Sequence, residues 1–182
     1  ALDGAALEAY LAEHLDGFTG PVEVQQFPSG HSNLTYFLKA GDAEYVLRRP
    51  PFGAKIATAH DMGREFRILS GLYPHYPKLP KPLVHCEDDA VLGAPFYVME
   101  RLRGVILRTP HAAEKMGFDR DTMRGMSESL VDGLVELHAV DLEATGLAGF
   151  GKPEGYVERQ VTGWTKRYFN AKTDEIPEVE QA

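Results

Sequence analysis

The first part of the chain alternates between helical and extended patterns of hydrophobic residues. Leu7, Leu11 and Leu15 recur at helical spacing after Asp3, whose side chain suits an N-cap, and they predict an opening helix. Three short segments of alternating apolar and polar residues follow, separated by glycine-containing turns: Val22–Val24, Leu34–Leu38 and Tyr45–Leu47. This pattern predicts a three-stranded antiparallel meander.

The period becomes helical again between Thr58 and Leu72. Met62, Phe66 and Leu72 share one face of this segment, and Thr58 with Asp61 resembles a capping box at its start. We therefore expect one amphipathic helix that packs its apolar face against the sheet.

Two more strands are expected after a proline-rich loop. The segment Tyr73–Pro82 contains four prolines, which are incompatible with regular backbone hydrogen bonding. Leu83–Cys86 and Pro95–Met99 then predict strands on either side of a turn at Glu87–Asp89. The first part of the chain, residues 1–103, should therefore form a five-stranded antiparallel lobe that carries one helix.

Residues 104–182 have a different, helical character. Apolar periodicity predicts helices over about Asp121–His138 and Pro153–Ala171. The apolar stripe of the first of these helices is interpreted as core; it contains Met123, Met126, Leu130 and Leu134. The expected fold class is α+β, with a mixed lobe followed by the beginning of a helical lobe.

Composition narrows the functional classes. The chain has 182 residues, 43% of them hydrophobic, and a net charge of −8 with a pI near 5.3, which argues against nucleic-acid binding. The longest apolar run, Val91–Met99, is far shorter than the roughly 20 residues of a membrane helix. The single cysteine, Cys86, agrees with a reducing compartment. We expect a soluble cytoplasmic protein without a membrane or nucleic-acid partner.

The loop between the first two predicted strands is a candidate phosphate-binding turn. It contains Ser29, Gly30, His31, Ser32 and Asn33, whose small side chains and backbone N–H groups suit an anion. Because it has one glycine, the segment taken alone fits an ordinary hairpin turn better.

A cation and a carboxylate are placed to meet across the sheet and its helix. Arg48 ends the third predicted strand, and Glu65 lies in the amphipathic helix. A strand cation fixed by a helix carboxylate holds nucleotide phosphates in kinases, where the cation is usually lysine. Arginine keeps the charge and adds a bidentate fork. Arg49 is a rival for this role, and a surface pair that never meets is the simpler alternative.

The fifth predicted strand ends at the junction between the two parts of the chain. Its last residues, Met99 and Glu100, offer backbone groups that suit the edge of an adenine ring. A core strand followed by a solvated acid is an equally compatible interpretation.

Five segments together resemble the aminoglycoside phosphotransferase (choline-kinase-like) family, most closely the branch that is also fused to some acyl-CoA dehydrogenases. They are Gly30–Asn33, Tyr45–Pro51, Arg64–Leu69, Gly93–Glu100 and Leu137–Asp141. The resemblance implies a protein-kinase-like fold, ATP with Mg²⁺, and transfer of the γ-phosphoryl group to a hydroxyl of a small molecule.

The resemblance also implies roles for the candidate residues. The loop from Ser29 to Asn33 would lie over the phosphates, Arg48 would replace the usual lysine, and Glu65 would be its partner. Met99 and Glu100 would form the adenine hinge. On this basis Arg48→Ala should weaken binding of MgATP more than Arg49→Ala.

The catalytic loop of such kinases, H-x-D-x-x-x-x-N, has no match in this sequence. The segment from His138 to Asp141 places its aspartate one residue too late, and Gly146 stands where asparagine is needed. We therefore expect no catalytic or metal-binding residue in this chain, which would be the front part of a longer enzyme. The alternative is a non-catalytic, kinase-derived binding module.

Several points stay open at this stage. An aminoglycoside, choline, a sugar and a hydroxyacyl compound all fit the implied acceptor class, and the oligomeric state is not readable. Nucleophile-elbow and H-E-x-x-H patterns are absent from the sequence, so a serine hydrolase or a zinc protease has no support.

Overall fold

The computed structural model describes residues 2–28, 33–51, 61–107, 109–174 and 176–177. The strands are β1 (Val22–Gln26), β2 (Leu34–Ala40), β3 (Ala43–Arg49), β4 (Pro82–Cys86) and β5 (Phe96–Glu100). The helices are α1 (Gly4–His14), α2 (Met62–Leu72), α3 (Asp89–Leu92), α4 (Pro110–Lys115), α5 (Arg120–His138) and α6 (Tyr156–Ala171).

The five strands form one antiparallel sheet in the order β1-β2-β3-β5-β4. β5 is therefore inserted between β3 and β4, so its side chains become neighbours of residues about 50 positions earlier in the chain. The α+β class and the five-stranded antiparallel sheet predicted from the sequence are confirmed. The boundary between residues 103 and 104 stays a prediction.

One face of the sheet forms the hydrophobic core under α1. A cross-strand row of Tyr36, Leu47, Val98 and Val84 is buried on this face. Leu7 and Leu11 of α1 are fully buried in the same cluster. Asp3 accepts hydrogen bonds from the amides of Ala5 and Ala6, which confirms the predicted N-cap.

The opposite face of the sheet carries α2. The ring of Phe66 stacks on His85 of β4 at 5.2 Å and contacts Tyr97 of β5 at 6.1 Å between centroids. Asp61 is the N-cap and accepts a hydrogen bond from the amide of Arg64. The predicted start at Thr58 lies outside the described residues.

Two short helices depart from the predicted pattern. The expected turn at Glu87–Asp89 continues into α3, whose N-cap Asp88 binds the amide of Ala90. Gly93 then ends the helix in the left-handed region, with φ of 80°. α4 begins after Thr109, with a proline in its first turn. Helices of 4 and 6 residues are too short to show a hydrophobic period.

The predicted core stripe of α5 is wrong. Its large apolar side chains are exposed: Met123, Met126, Leu130, Val131, Leu134 and Val135. α6 is similar, with exposed Tyr156, Val157, Val161, Trp164 and Phe169. Within the ranges that the structure describes, no element covers these faces, so the apolar period is present but its packing partner is not.

The helical part nevertheless contacts α2 and the loop after it. The hydroxyl of Tyr76 donates to the carbonyl of Gly133 on α5 at 3.1 Å, and Lys78 forms an ion pair with Glu136. The guanidinium groups of Arg64 and Arg67 lie over the ring of Phe150, at 5.6 and 5.1 Å from its centroid. These contacts attach both ends of α2 to the helical part.

Gly71 of α2 lies close to Thr145 and Leu147 of the helical part, and this contact yields a stability prediction. A Cβ added to Gly71 would lie 2.8 Å from the backbone oxygen of Thr145 and 3.0 Å from Leu147. Gly71→Ala should therefore lower the free energy of unfolding by about 1–3 kcal/mol, because backbone and packed side chains would have to move. Chemical denaturation of the full-length protein measures the change.

The matched control is a glycine within a helix that has space. A Cβ at Gly125 of α5 would meet nothing within 4 Å, so Gly125→Ala should stabilise the helix by about 0.5–1 kcal/mol. Equal stability of the Gly71→Ala and Gly125→Ala variants would contradict the packing described for Gly71.

Candidate functional site

The structure brings Arg48 and Glu65 together. Arg48 Nε lies 3.4 Å from Glu65 Oε2, with the two side chains 33% and 34% exposed. Arg48 stands near the end of β3, and Glu65 is in the first turn of α2, where the helix N-terminus favours a negative charge. The predicted cation and carboxylate are thus an ion pair at the edge of solvent.

The ion pair is described at Nε, the guanidinium nitrogen nearest the aliphatic stem, which lies 3.4 Å from the carboxylate. The two terminal nitrogens extend beyond it and can donate two parallel hydrogen bonds to an anion. A phosphate is the anion whose oxygens best match that fork.

Glu65 is held by two further side chains. Asn33 Nδ2 donates to Glu65 Oε1 at 2.9 Å, and the hydroxyl of Tyr97 donates to Glu65 Oε2 at 2.9 Å. Burial raises the pKa of Tyr97, so its hydroxyl stays protonated and remains a donor. Both carboxylate oxygens are therefore positioned by contacts from the sheet side.

The sequence did not identify Tyr97 as part of the site. Tyr97 is the cross-strand neighbour of Arg48, in the row Thr35, Arg48, Tyr97 and His85 on the face under α2. The row exists only because β5 pairs with β3. If β5 is assumed to pair with β3, strand alternation places Tyr97 on the same face as Arg48.

Arg49 lies on the other face of the sheet. Its side chain is 1% exposed and shares the α1 side with Leu47, because neighbouring strand residues face opposite sides. Desolvation lowers the pKa of its guanidinium. Of the two rival arginines, Arg48 is the one that meets Glu65.

The candidate loop is described only at its end. Ser29, Gly30, His31 and Ser32 lie outside the described residues, and their contact with phosphate stays a prediction. Asn33 is described, and its side chain is turned inward to Glu65. It is 7% exposed.

The predicted hinge needs one correction. The amide of Glu100 donates to the carbonyl of Lys81 at 2.8 Å, so this group is not free for a ligand. The amide of Lys81 donates to the Glu100 carboxylate at 3.3 Å, not to the Glu100 carbonyl. In an antiparallel strand the N–H and the C=O of one residue point to the same side. The Glu100 carbonyl therefore points to the side of Lys81, and it is the acceptor that the end of β5 presents on that side.

Met99 is half-buried and stands on the same face as Arg48, where its cross-strand neighbour is Val46.

The connector after β5 is tied to this part of the sheet by Glu44. Arg101 and Arg103 each place a guanidinium nitrogen 2.8 Å from Glu44 Oε2. Desolvation opposes ionisation of Glu44, but its contacts with these two arginines outweigh it and lower its pKa.

Two kinds of feature are missing from the described residues. They contain no group of three His, Cys, Asp or Glu side chains arranged to hold a metal ion. Among the same residues, no helix is both long and apolar enough to cross a bilayer.

Comparison with known proteins relates the chain to phosphotransferases. Residues 23–182 match the model of the phosphotransferase enzyme family. A crystal structure from Ralstonia eutropha, provisionally named an aminoglycoside phosphotransferase, superposes with a TM-score of 0.77 at 33% identity. The match covers 97% of this chain and 50% of that one.

Curated relatives carry this region within much longer proteins. The chain is 39% identical, over its whole length, to mouse acyl-CoA dehydrogenase family member 10, of which it covers 17%. It is 36% identical over 98% of its length to human acyl-CoA dehydrogenase family member 11, of which it covers 23%. The chain thus spans about a fifth of these relatives, and it belongs to the phosphotransferase enzyme family.

Proposed function

We propose that this chain is the nucleotide-binding part of an ATP-dependent phosphotransferase that acts on a hydroxyl group of a small molecule. The observation that carries the proposal is the ion pair between Arg48 and Glu65, with Tyr97 and Asn33 fixing the carboxylate. Membership in the family supports the reaction class.

The ion pair suits the triphosphate of ATP. The guanidinium of Arg48 would neutralise charge on the phosphates and bind two oxygens with its terminal nitrogens. Glu65 would limit the rotamers of Arg48, so less conformational entropy is lost when the nucleotide binds. The residues that the structure describes do not form a site for the implied Mg²⁺, whose protein ligands we expect elsewhere.

The end of β5 suits the base of the nucleotide. The carbonyl of Glu100 can accept a hydrogen bond from an exocyclic amine, and Met99 lies on the face that bears Arg48. The ties from Glu44 to Arg101 and Arg103 would keep the connector at a fixed distance from the sheet.

The chemistry of transfer needs residues that this chain does not supply. The H-x-D-x-x-x-x-N loop has no match in the sequence. The chain covers half of the Ralstonia eutropha relative, and the exposed apolar faces of α5 and α6 need a covering partner. Both observations support a longer protein that contains the loop, against the alternative of a non-catalytic binding module.

The acceptor is proposed only as a class. An aminoglycoside, choline, a sugar and a hydroxyacyl compound remain candidates, and the names of the curated relatives support including the last of these. We also propose the cytoplasm as the compartment, since the one cysteine, Cys86, is a buried free thiol.

The test has a sequence step and a chemical step. The source reading frame should contain H-x-D, with asparagine five residues after the aspartate, beyond Ala182. The full-length protein should then release ADP and a phosphorylated product, detected by mass, from MgATP and one of the four acceptor types. An intact native protein that lacks this loop but binds MgATP would establish the binding module instead.

A further inference from the structure

We propose that Asn33 is a positioning residue that acts on the nucleotide through Glu65 and does not itself touch the phosphates. The inference rests on the proposed function. It differs from the role implied by family resemblance, in which Asn33 lies over the phosphates together with Ser29 to Ser32.

The contact itself has one chemical interpretation. Asn33 Nδ2 lies 2.9 Å from Glu65 Oε1. An ionised carboxylate only accepts hydrogen bonds, so the amide nitrogen, not the amide oxygen, must face it. Asn33 is 7% exposed, so little of its side chain faces solvent.

The three side chains around Glu65 have different tasks: two donate hydrogen bonds and Arg48 forms the ion pair. Oε2 receives the hydroxyl of Tyr97 at 2.9 Å and lies 3.4 Å from Arg48 Nε, whereas Oε1 receives Asn33. Turning the carboxylate plane away from its present orientation would break these contacts. Asn33 opposes that rotation at Oε1, and so fixes the plane in which Oε2 faces the guanidinium.

The place of Asn33 in the fold makes this contact well defined. Asn33 directly precedes β2, and its neighbour Leu34 is paired with Arg49 in the sheet. The end of the β1–β2 loop is thereby joined to α2 by the hydrogen bond between Asn33 and Glu65. The orientation of the strand cation then depends on a residue that lies outside both β3 and α2.

The test is a double-mutant cycle on MgATP affinity, measured by calorimetric titration of the full-length protein. Asn33→Ala should weaken binding about tenfold, the effect of losing one hydrogen bond to a charged group. In a Glu65→Ala background, Asn33→Ala should cause no further loss. Asn170→Ala, a change of the other asparagine in the chain, is the matched control and should leave affinity unchanged.

Two other outcomes of this cycle would overturn the positioning role of Asn33. Equal losses from Asn33→Ala in both backgrounds would show direct contact with the nucleotide and overturn the positioning role, as would an unchanged affinity of the single variant. If Asn33→Ala does not fold, Asn33→Leu keeps about the same side-chain volume without a donor or a charge, and the same non-additivity is expected. A wild-type protein without MgATP affinity would overturn the proposed function, and the positioning role with it.

Discussion

Arg48→Ala is expected to lower kcat/KM for phosphoryl transfer by about 10²-fold or more, because a charge that stabilises the phosphates is lost. The ion pair with Glu65 is one-third exposed, so the variant should lose less than about 1 kcal/mol of stability. Steady-state kinetics of the full-length protein, with thermal unfolding of the same samples, separates the two effects.

Two variants control this prediction. Arg48→Lys keeps the positive charge but not the planar fork, and its kcat/KM should fall between those of the wild type and Arg48→Ala. Arg49→Met retains an unbranched side chain in the buried position and should leave MgATP affinity unchanged. A greater loss of affinity in Arg49→Met than in Arg48→Ala would show that the assignment of the strand cation is wrong.

Phe96→Ala is expected to lower the free energy of unfolding by about 3–5 kcal/mol, because it leaves a cavity in the core. Phe96 is fully buried, and its ring meets that of Tyr10 edge-on, with centroids 5.5 Å apart. Denaturant titration of the full-length protein measures the change. A loss of this size is a large part of the stability of a typical domain.

The adjacent residue gives a contrast within the same strand. Tyr97→Phe removes one hydroxyl on the opposite face, at Glu65, and should affect MgATP binding more than stability. Phe96→Leu should be less destabilising than Phe96→Ala, since most of the volume is retained. Destabilisation by Phe96→Ala of less than 1 kcal/mol, a threshold well below the cavity range, would contradict the core described here.

The sequence predicted the sheet and the ion pair for physical reasons. Alternating apolar residues identify strands when one face is buried, and residues of all five strands belong to the core cluster that includes α1 or pack against it. Strand alternation left Arg48 and Arg49 as rivals. The burial of Arg49 on the α1 side of the sheet distinguishes them, and burial depends on what covers each face.

Tyr97 and the inward turn of Asn33 were not predictable in the same way. Tyr97 reaches Glu65 because β5 is inserted between β3 and β4, and a local pattern carries no information on strand order. Asn33 ends a loop whose residue types suit a ligand, but the direction of its side chain is set by the position of Glu65.

In the helical part, the sequence pattern predicts the helices but not their packing. The period of α5 correctly predicts a helix and its apolar face, but it does not say what covers that face. Leu130, 66% exposed, and Trp164, 62% exposed, have the hydrophobic character of core residues without the packing. The sequence pattern of one helix carries no information on the partner that covers it.

The most direct test of the account is calorimetric titration of MgATP into the full-length protein and its Arg48→Ala variant. The account predicts saturable binding at one site in the wild type, and affinity in the variant that is at least tenfold weaker, or about 1.4 kcal/mol. Equal affinity of the two proteins for MgATP, or no binding by a folded wild type, would contradict the claim that Arg48 and Glu65 form the phosphate-binding centre.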